Sequence, residues 1–91
     1  MSVDKELHEE FEKAYAKASA MKTPLPQDTM LLFYAYYKQA TAGDNFSFNA
    51  NFDVRNAFKF NAWTQLNGMS QEEAKKKYIK LVKSILKNQL K

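Results

Sequence analysis

Apolar side chains recur every three or four residues along most of this 91-residue chain, which is the spacing of an amphipathic α-helix. The pattern predicts four helices, at about residues 4–22, 26–42 and 54–66 and from residue 70 onwards. The alternation typical of a β-strand does not occur, and no internal repeat is present. We therefore expect one all-α domain, a four-helix bundle over residues 3–90, with a single core.

Helix ends are marked by residues that favour them. Pro26 suits a first-turn position, and Gly43 suits the C-terminal end of the second helix. Asp53 is a good N-cap for the third helix, which Gly68 then terminates. The segment 70–73, Ser-Gln-Glu-Glu, is a capping box that opens the fourth helix.

The second predicted helix is apolar around most of its circumference, so it must face two partners at once, and in a small domain one of them can be a ligand. Tyr34, Tyr37 and Lys38 are spaced i, i+3 and i+4 on it, so their side chains cluster over about one turn. Together they offer a hydroxyl, an aromatic plane and an ammonium, which suits a phosphate next to a purine. Core packing is the alternative for the tyrosines, and the residues alone favour it.

Composition narrows the class of protein. The chain is 45% hydrophobic and 26% charged and carries neither a long apolar run nor a leader-like N-terminus, so we expect a cytoplasmic protein. It has no cysteine, which excludes disulfides and thiolate chemistry. The net charge of +4 favours an anionic partner but does not distinguish nucleic acid, a membrane surface and a charged small molecule. The many lysines after residue 74 are expected to form a solvated helix face.

The residues that could support catalysis are few. The single histidine, His8, lies among acidic residues, and no nucleophile stands beside a plausible base. The chain also lacks a phosphate-binding glycine loop, a dinucleotide fingerprint and the spacing of metal ligands. We expect binding rather than catalysis, with no catalytic residue, no metal and no cofactor.

A series of short motifs resembles the acyl-CoA-binding protein family. They lie in that family's order over roughly residues 11–86: YKQATAGD at 37–44, Asp53, Lys59, Ala62-Trp63, Gly68, Ser70 and the AxxxYI run that starts at Ala74. The resemblance implies that Tyr34, Lys38 and Lys59 bind the 3'-phosphate of coenzyme A. It also implies that Tyr37 and Tyr78 hold the adenine.

The acyl chain needs an apolar groove, and the resemblance implies that Met30, Leu31 and Phe52 form its walls. The chain departs from the family's pattern in two places near this groove. The loop before Asp53 carries Asn, Ala and Asn at 49–51 in place of proline and glycine, and Phe58 replaces a small residue before the lysine. The acyl length that the groove prefers is therefore not transferred from the family.

The resemblance thus implies non-catalytic binding and intracellular carriage of medium- to long-chain fatty acyl-CoA esters by a monomer. Acyl-CoA would be its ligand, without nucleic acid and with at most transient membrane contact. Two alternatives remain open from the residues: a protein- or peptide-interaction module that docks through the lysine-rich fourth helix, and a charge-driven binder of nucleic acid or membrane surfaces.

Overall fold

The structure, a computed structural model, describes residues 2–21, 24–45 and 54–89. In this part of the chain it contains four α-helices and no strand: α1 (Ser2–Ala20), α2 (Gln27–Ala42), α3 (Val54–Thr64) and α4 (Gln71–Gln89). The all-α prediction is confirmed. Asp53, the predicted N-cap, and Phe52, a predicted groove residue, lie outside the described residues.

Two predicted helix ends hold, and a third is shifted by one residue. Pro26, predicted in the first turn, is the N-cap of α2, and its carbonyl accepts a hydrogen bond from the Met30 amide at 3.1 Å. Gly43 follows the last turn with a φ of 82°, a conformation that glycine adopts without steric cost. At the start of α4, the Ser70 hydroxyl accepts a hydrogen bond from the Glu73 amide at 3.0 Å, as a capping serine should.

Two helices end earlier than predicted. α1 ends at Ala20 rather than near residue 22, and the Met21 amide bonds to the Ala18 carbonyl at 3.2 Å. α3 ends at Thr64 rather than residue 66, because the Leu66 amide reaches back three residues to the Trp63 carbonyl at 2.9 Å. Such bonds tighten a last turn and end the regular helix, and hydrophobic spacing does not reveal them.

Helix α4 is central, since it packs against both α1 and α2, while α3 packs against α2. Leu7 of α1 and Ile79 of α4 line one cleft, and Lys17 and Leu86, which come later in the same two helices, line the next cleft. Because later residues of α1 lie beside later residues of α4, the two helices run parallel. Alanines let the helices approach closely, and among the described residues the main core cluster contains Phe11, Ala14, Ala40, Ala74, Tyr78, Ile79 and Val82.

A polar cluster joins the end of α2 to the turn between α3 and α4. The fully buried Gln39 donates from Nε2 to Asp44 Oδ1 and to the Met69 carbonyl, both at 2.8 Å. Asp44 Oδ1 also accepts from the Gly68 amide at 2.8 Å, and this bond, followed by that from Gln39, lowers the pKa of Asp44. The indole of Trp63 donates to the Gly43 carbonyl at 2.9 Å. These bonds fix α3 beside the C-terminal end of α2.

Within the described ranges, no helix is both long and apolar enough to cross a bilayer.

Candidate functional site

A cleft of about 550 Å³ opens between α2 and α3. Six side chains line it: Gln27, Met30, Leu31 and Tyr34 from α2, and Phe58 and Lys59 from α3. Met30 is 58% exposed and Phe58 is 53% exposed, which makes them the two most exposed of the large apolar side chains that the structure describes. Neighbouring exposed apolar groups in a cleft of this size mark a binding site rather than an ordinary surface.

The polar end of this cleft pairs a cation with a phenol. Lys59 Nζ lies 5.5 Å from the centroid of the Tyr34 ring, within the range of a cation–π interaction. A tyrosine hydroxyl is protonated at neutral pH and can donate a hydrogen bond, and burial raises the pKa of Tyr34 further. An ammonium and a hydroxyl donor side by side form a suitable site for a phosphate oxygen.

Lys38 follows Tyr34 by one turn of α2 and is half-buried. Its Nζ lies 5.1 Å from the centroid of the Trp63 ring, which the bond to Gly43 holds in place. Lys38 thus lies near Tyr34 along the helix, but it is not among the described residues that line the α2–α3 cleft. The predicted phosphate residues therefore divide into a pair, Tyr34 and Lys59, and one lysine beside them.

Tyr37 and Tyr78 lie together, with ring centroids 6.2 Å apart. Tyr37 is half-buried and stacks on Tyr15 of α1 at 4.8 Å. Tyr78 is only 3% exposed, and Phe11 and Phe33 meet it edge-on at 5.1 and 5.5 Å. In this structure, then, Tyr78 is a core residue, and the flat surface beside it is formed by Tyr37 and Tyr15.

Burial raises the pKa of Tyr78 to about 12, with smaller contributions from Tyr15 and Tyr37. A second cleft, of about 280 Å³, adjoins this aromatic group, and its lining includes His8, Glu12 and Tyr15 from α1 and Tyr37 from α2. His8 pairs with Glu12, one turn away on an exposed face of α1. No group of three histidine, cysteine or acidic residues that could hold a metal occurs in the described part of the chain.

The two clefts share one side of α2. Met30, Tyr34, Tyr37 and Thr41 are spaced i, i+4, i+7 and i+11, which places them in one stripe along the helix. Eleven residues of helix rise over about 16 Å. The stripe begins at apolar Met30 and passes Tyr34, beside which Lys59 lies, to reach the stacked tyrosines. The site is therefore long, apolar at one end, cationic beside Tyr34 and aromatic at the other end.

The sequence does not predict two features of this surface. Tyr15 recurs with the apolar residues of α1, yet it is 45% exposed and stacks on Tyr37. Gln27 lines the cleft without any preceding signal in the sequence. Phe58, which the sequence places near the groove as a departure from the family's pattern, lines the cleft with Met30 and Leu31.

Comparison with known proteins connects this chain to a family. The family model described as Acyl CoA binding protein matches residues 8–82. The chain is 39% identical over 77 residues to an acyl-CoA-binding protein of Saccharomyces cerevisiae, covering 84% of this chain and 88% of the relative. It is 40% identical over 80 residues to an acyl-CoA-binding protein of Gossypium hirsutum, with 87% and 90% covered.

A third relative, diazepam-binding inhibitor-like 5 of Rattus norvegicus, is 41% identical over 81 residues, with 88% of this chain and 93% of the relative covered. Among solved structures, acyl-CoA-binding protein 2 of Oryza sativa superimposes with a TM-score of 0.84 at 36% identity, over 90% of this chain and 92% of that one. The ACBP of Moniliophthora perniciosa gives a TM-score of 0.79 at 35% identity, over 89% and 81%. Sequence, fold and coverage agree, and the chain belongs to the acyl-CoA-binding protein family.

Proposed function

We propose that this protein binds medium- to long-chain fatty acyl-CoA esters reversibly and carries them within the cell, as a monomer and without chemical change. The observation that supports this most is the α2–α3 cleft, where Tyr34 and Lys59 adjoin the exposed apolar side chains of Met30 and Phe58. A ligand that joins a phosphate to an apolar chain matches both parts of that cleft. The names of the relatives point to the same ligand.

In this proposal the nucleotide end is held by the cations and phenols of α2 and α3. Lys59 and Tyr34 bind the 3'-phosphate, and Lys38 adds a second positive charge one turn along α2. The adenine lies against the stacked rings of Tyr37 and Tyr15. Tyr78 packs against Tyr37 from the side of the core, since its own ring is buried there.

The acyl chain lies along Met30, Leu31 and Phe58. Methionine suits a groove that accepts chains of varied length, since its side chain is flexible and polarisable. Each buried methylene contributes about 0.8 kcal/mol before ordering costs, so ten methylenes would contribute roughly 8 kcal/mol. Burial of the chain should therefore rival the phosphate contacts. Catalysis is not part of the proposal. The described lining of the α2–α3 cleft provides one phenol and one ammonium group, and the His8–Glu12 pair of the second cleft lies on an exposed face of α1.

Calorimetric titration with octanoyl-CoA, palmitoyl-CoA, free CoA and palmitate tests the proposal. Palmitoyl-CoA has eight more methylenes than octanoyl-CoA. Even at half of about 0.8 kcal/mol each, its affinity should be more than about a hundredfold higher. Free CoA and palmitate should both bind more weakly than the ester that joins them. The titrations must stay below the micelle concentration of each ester.

Equal affinities for free CoA, octanoyl-CoA and palmitoyl-CoA would refute acyl carriage. That result, together with a steep loss of affinity at high salt, would instead favour recognition driven by charge alone.

A further inference from the structure

A basic groove runs along the outer side of α1 and α4, away from the site described above. It consists of two adjoining clefts of about 400 and 120 Å³ that share Glu10, Ile79 and Lys83. Its rims carry five exposed lysines: Lys13, Lys17, Lys76, Lys80 and Lys83. Glu10 is the single acidic side chain among its described lining residues, so the groove is strongly positive.

Helical spacing aligns these lysines. Lys76, Lys80 and Lys83, with Lys87 after them, are spaced i, i+4, i+7 and i+11 and form one exposed stripe about 16 Å long on α4. Lys13 and Lys17 lie one turn apart on α1, which runs parallel to α4, so the two rows lie side by side. Among the described residues, two exposed ion pairs involve this stripe, Glu10–Lys83 at 4.0 Å and Glu72–Lys76 at 3.6 Å, and exposed pairs of this kind are too weak to neutralise it.

The floor of the groove offers no anchor for a protein partner. Ile79 and Val82 are buried, and Leu7 and Leu86 are half-buried. The large apolar side chains that the structure describes as exposed, Tyr15, Met30, Leu32 and Phe58, all lie elsewhere. Protein interfaces depend on a few inserted aromatic or large apolar residues, and single-stranded nucleic acid binds by stacking on aromatic rings. Among its described lining residues the groove provides neither, so charge is what a partner would recognise.

We propose that the basic groove docks this protein on the anionic phospholipid surface of a bilayer. A flat surface with many negative charges is attracted by a row of mobile cations and does not require a shaped pocket. Lysine meets this requirement, because its ammonium group lies at the end of a flexible apolar stem. Docking is peripheral and electrostatic.

The position of the groove leaves the α2–α3 cleft open. On α1 the groove uses the flank of Glu10, Lys13 and Lys17, whereas His8 and Tyr15 lie on the other flank and face Tyr37. The docked protein can therefore hold its ligand while it lies on the membrane.

Sedimentation with vesicles tests the proposal without any acyl-CoA, so its outcome is independent of the proposed function. The vesicles contain phosphatidylcholine alone or phosphatidylcholine mixed with phosphatidylserine. The test variant is Lys17→Gln/Lys80→Gln, which removes one charge from each row. The matched control is Lys5→Gln/Lys77→Gln, which changes the net charge equally at exposed positions on the same two helices but outside the groove.

Wild type should bind the phosphatidylserine vesicles, bind phosphatidylcholine far more weakly, and dissociate as NaCl rises from about 0.1 M to about 1 M, because the Debye length falls from about 10 to about 3 Å. A lysine close to an anionic bilayer is worth about fivefold in binding, so the test variant should bind about 25-fold more weakly. The control should lose about twofold or less, since its lysines act only through the screened long-range field. Circular dichroism of both variants should match the wild type.

Equal losses in the two variants would show that net charge rather than this groove attracts the bilayer, and would overturn the proposal. It would also fail if wild type did not distinguish the two kinds of vesicle. Tighter binding to duplex DNA than to phosphatidylserine vesicles, with the same loss in Lys17→Gln/Lys80→Gln, would assign the groove to nucleic acid instead.

Discussion

At the scale of single residues, Lys59 contributes most to the proposed recognition of phosphate. In the free protein its Nζ interacts with the Tyr34 ring at 5.5 Å, a contact worth about 0.5–1 kcal/mol at a partly exposed site. A charge-assisted hydrogen bond to phosphate is worth about 1.5–3 kcal/mol. We therefore expect Lys59→Ala to weaken palmitoyl-CoA binding by about ten- to a hundredfold, as measured by calorimetry, while the melting temperature changes little.

The matched control for this prediction is Lys77→Ala. It removes the same charge from an exposed position on α4, outside both clefts of the site. Its affinity for palmitoyl-CoA should stay within about twofold of wild type, because long-range charge is screened. If the two variants lost affinity equally, Lys59 would be acting only through net charge.

Tyr78 makes stability sensitive to alkaline pH. Its pKa is about 12 in the folded protein, mainly because of burial, against 10.0 for an ordinary tyrosine. Below pH 10 the phenol is protonated in both the folded and the unfolded chain. Between pH 10 and 12 the unfolded chain loses this proton first, so the folded state binds more protons and the free energy of unfolding falls as pH rises.

Urea denaturation at a series of alkaline pH values measures this effect. The fall in the free energy of unfolding should be smaller in Tyr78→Phe than in wild type, because the variant lacks the buried phenol. Tyr36→Phe, which removes a half-buried phenol that also packs against the core, is the comparison. If both variants showed the same pH dependence, burial would not be what opposes the ionisation of Tyr78.

At the scale of helices and turns, Gln39 connects α2 to the turn that precedes α4. Its Nε2 donates two hydrogen bonds at 2.8 Å, one of them to the Met69 carbonyl, and the side chain is fully buried. Gln39→Leu keeps the approximate volume but leaves that carbonyl without this donor. We expect the free energy of unfolding to fall by about 1–3 kcal/mol in urea denaturation.

Gln71→Leu is the matched control for that prediction, since it makes the same substitution at an exposed residue. Its Nε2 donates at 3.1 Å to the Ala40 carbonyl, and water can replace this bond. The change in the free energy of unfolding should stay within about 0.5 kcal/mol. A loss as large as that of Gln39→Leu would indicate that the substitution itself, rather than the buried amide, is responsible.

The four helices could be predicted from the sequence because their signals are local. Apolar spacing, Pro26, Gly43 and Ser70 each act within one or two turns, and the structure confirms them. The ends of α1 and α3 were wrong by two residues, because a final three-residue hydrogen bond leaves no mark in the hydrophobic pattern.

The site could be predicted only in part. The structure brings Met30, Leu31, Tyr34 and Lys59 together in one cleft, and their roles in binding, which the family resemblance implies, stay a prediction. Spacing alone could not tell that Tyr15 is exposed and Tyr78 buried, since both recur on apolar helix faces and their burial depends on which helix packs over them. Gln27 could not be placed in the cleft from the sequence, because its position there depends on how α3 packs against α2.

At the scale of the whole molecule, the proposed ligand site includes a helix that, among the described residues, packs against one neighbour. α4 packs against two helices, whereas in the described part of the chain α3 packs against α2 alone. A helix with one neighbour buries less surface and should open locally before the core unfolds. In hydrogen exchange of the free protein, we therefore expect amides in the middle of α3 to exchange faster than those around Ala74 and Tyr78 in α4.

Binding of acyl-CoA should reverse this weakness, because the cleft takes Phe58 and Lys59 from α3 and its other lining residues from α2. A ligand that binds only when α3 is in place lowers the population of the opened state, and with it the exchange rate of α3 amides. The factor is one plus the ratio of the free ligand concentration to the dissociation constant. That factor is about a hundredfold when free palmitoyl-CoA is a hundred times its dissociation constant. Lys59→Ala at the same concentration should show a smaller effect, in proportion to its lost affinity. If calorimetry detected binding while α3 amides exchanged at unchanged rates, the ligand would have to lie elsewhere, with the second cleft beside Tyr15 and Tyr37 as the next place to examine.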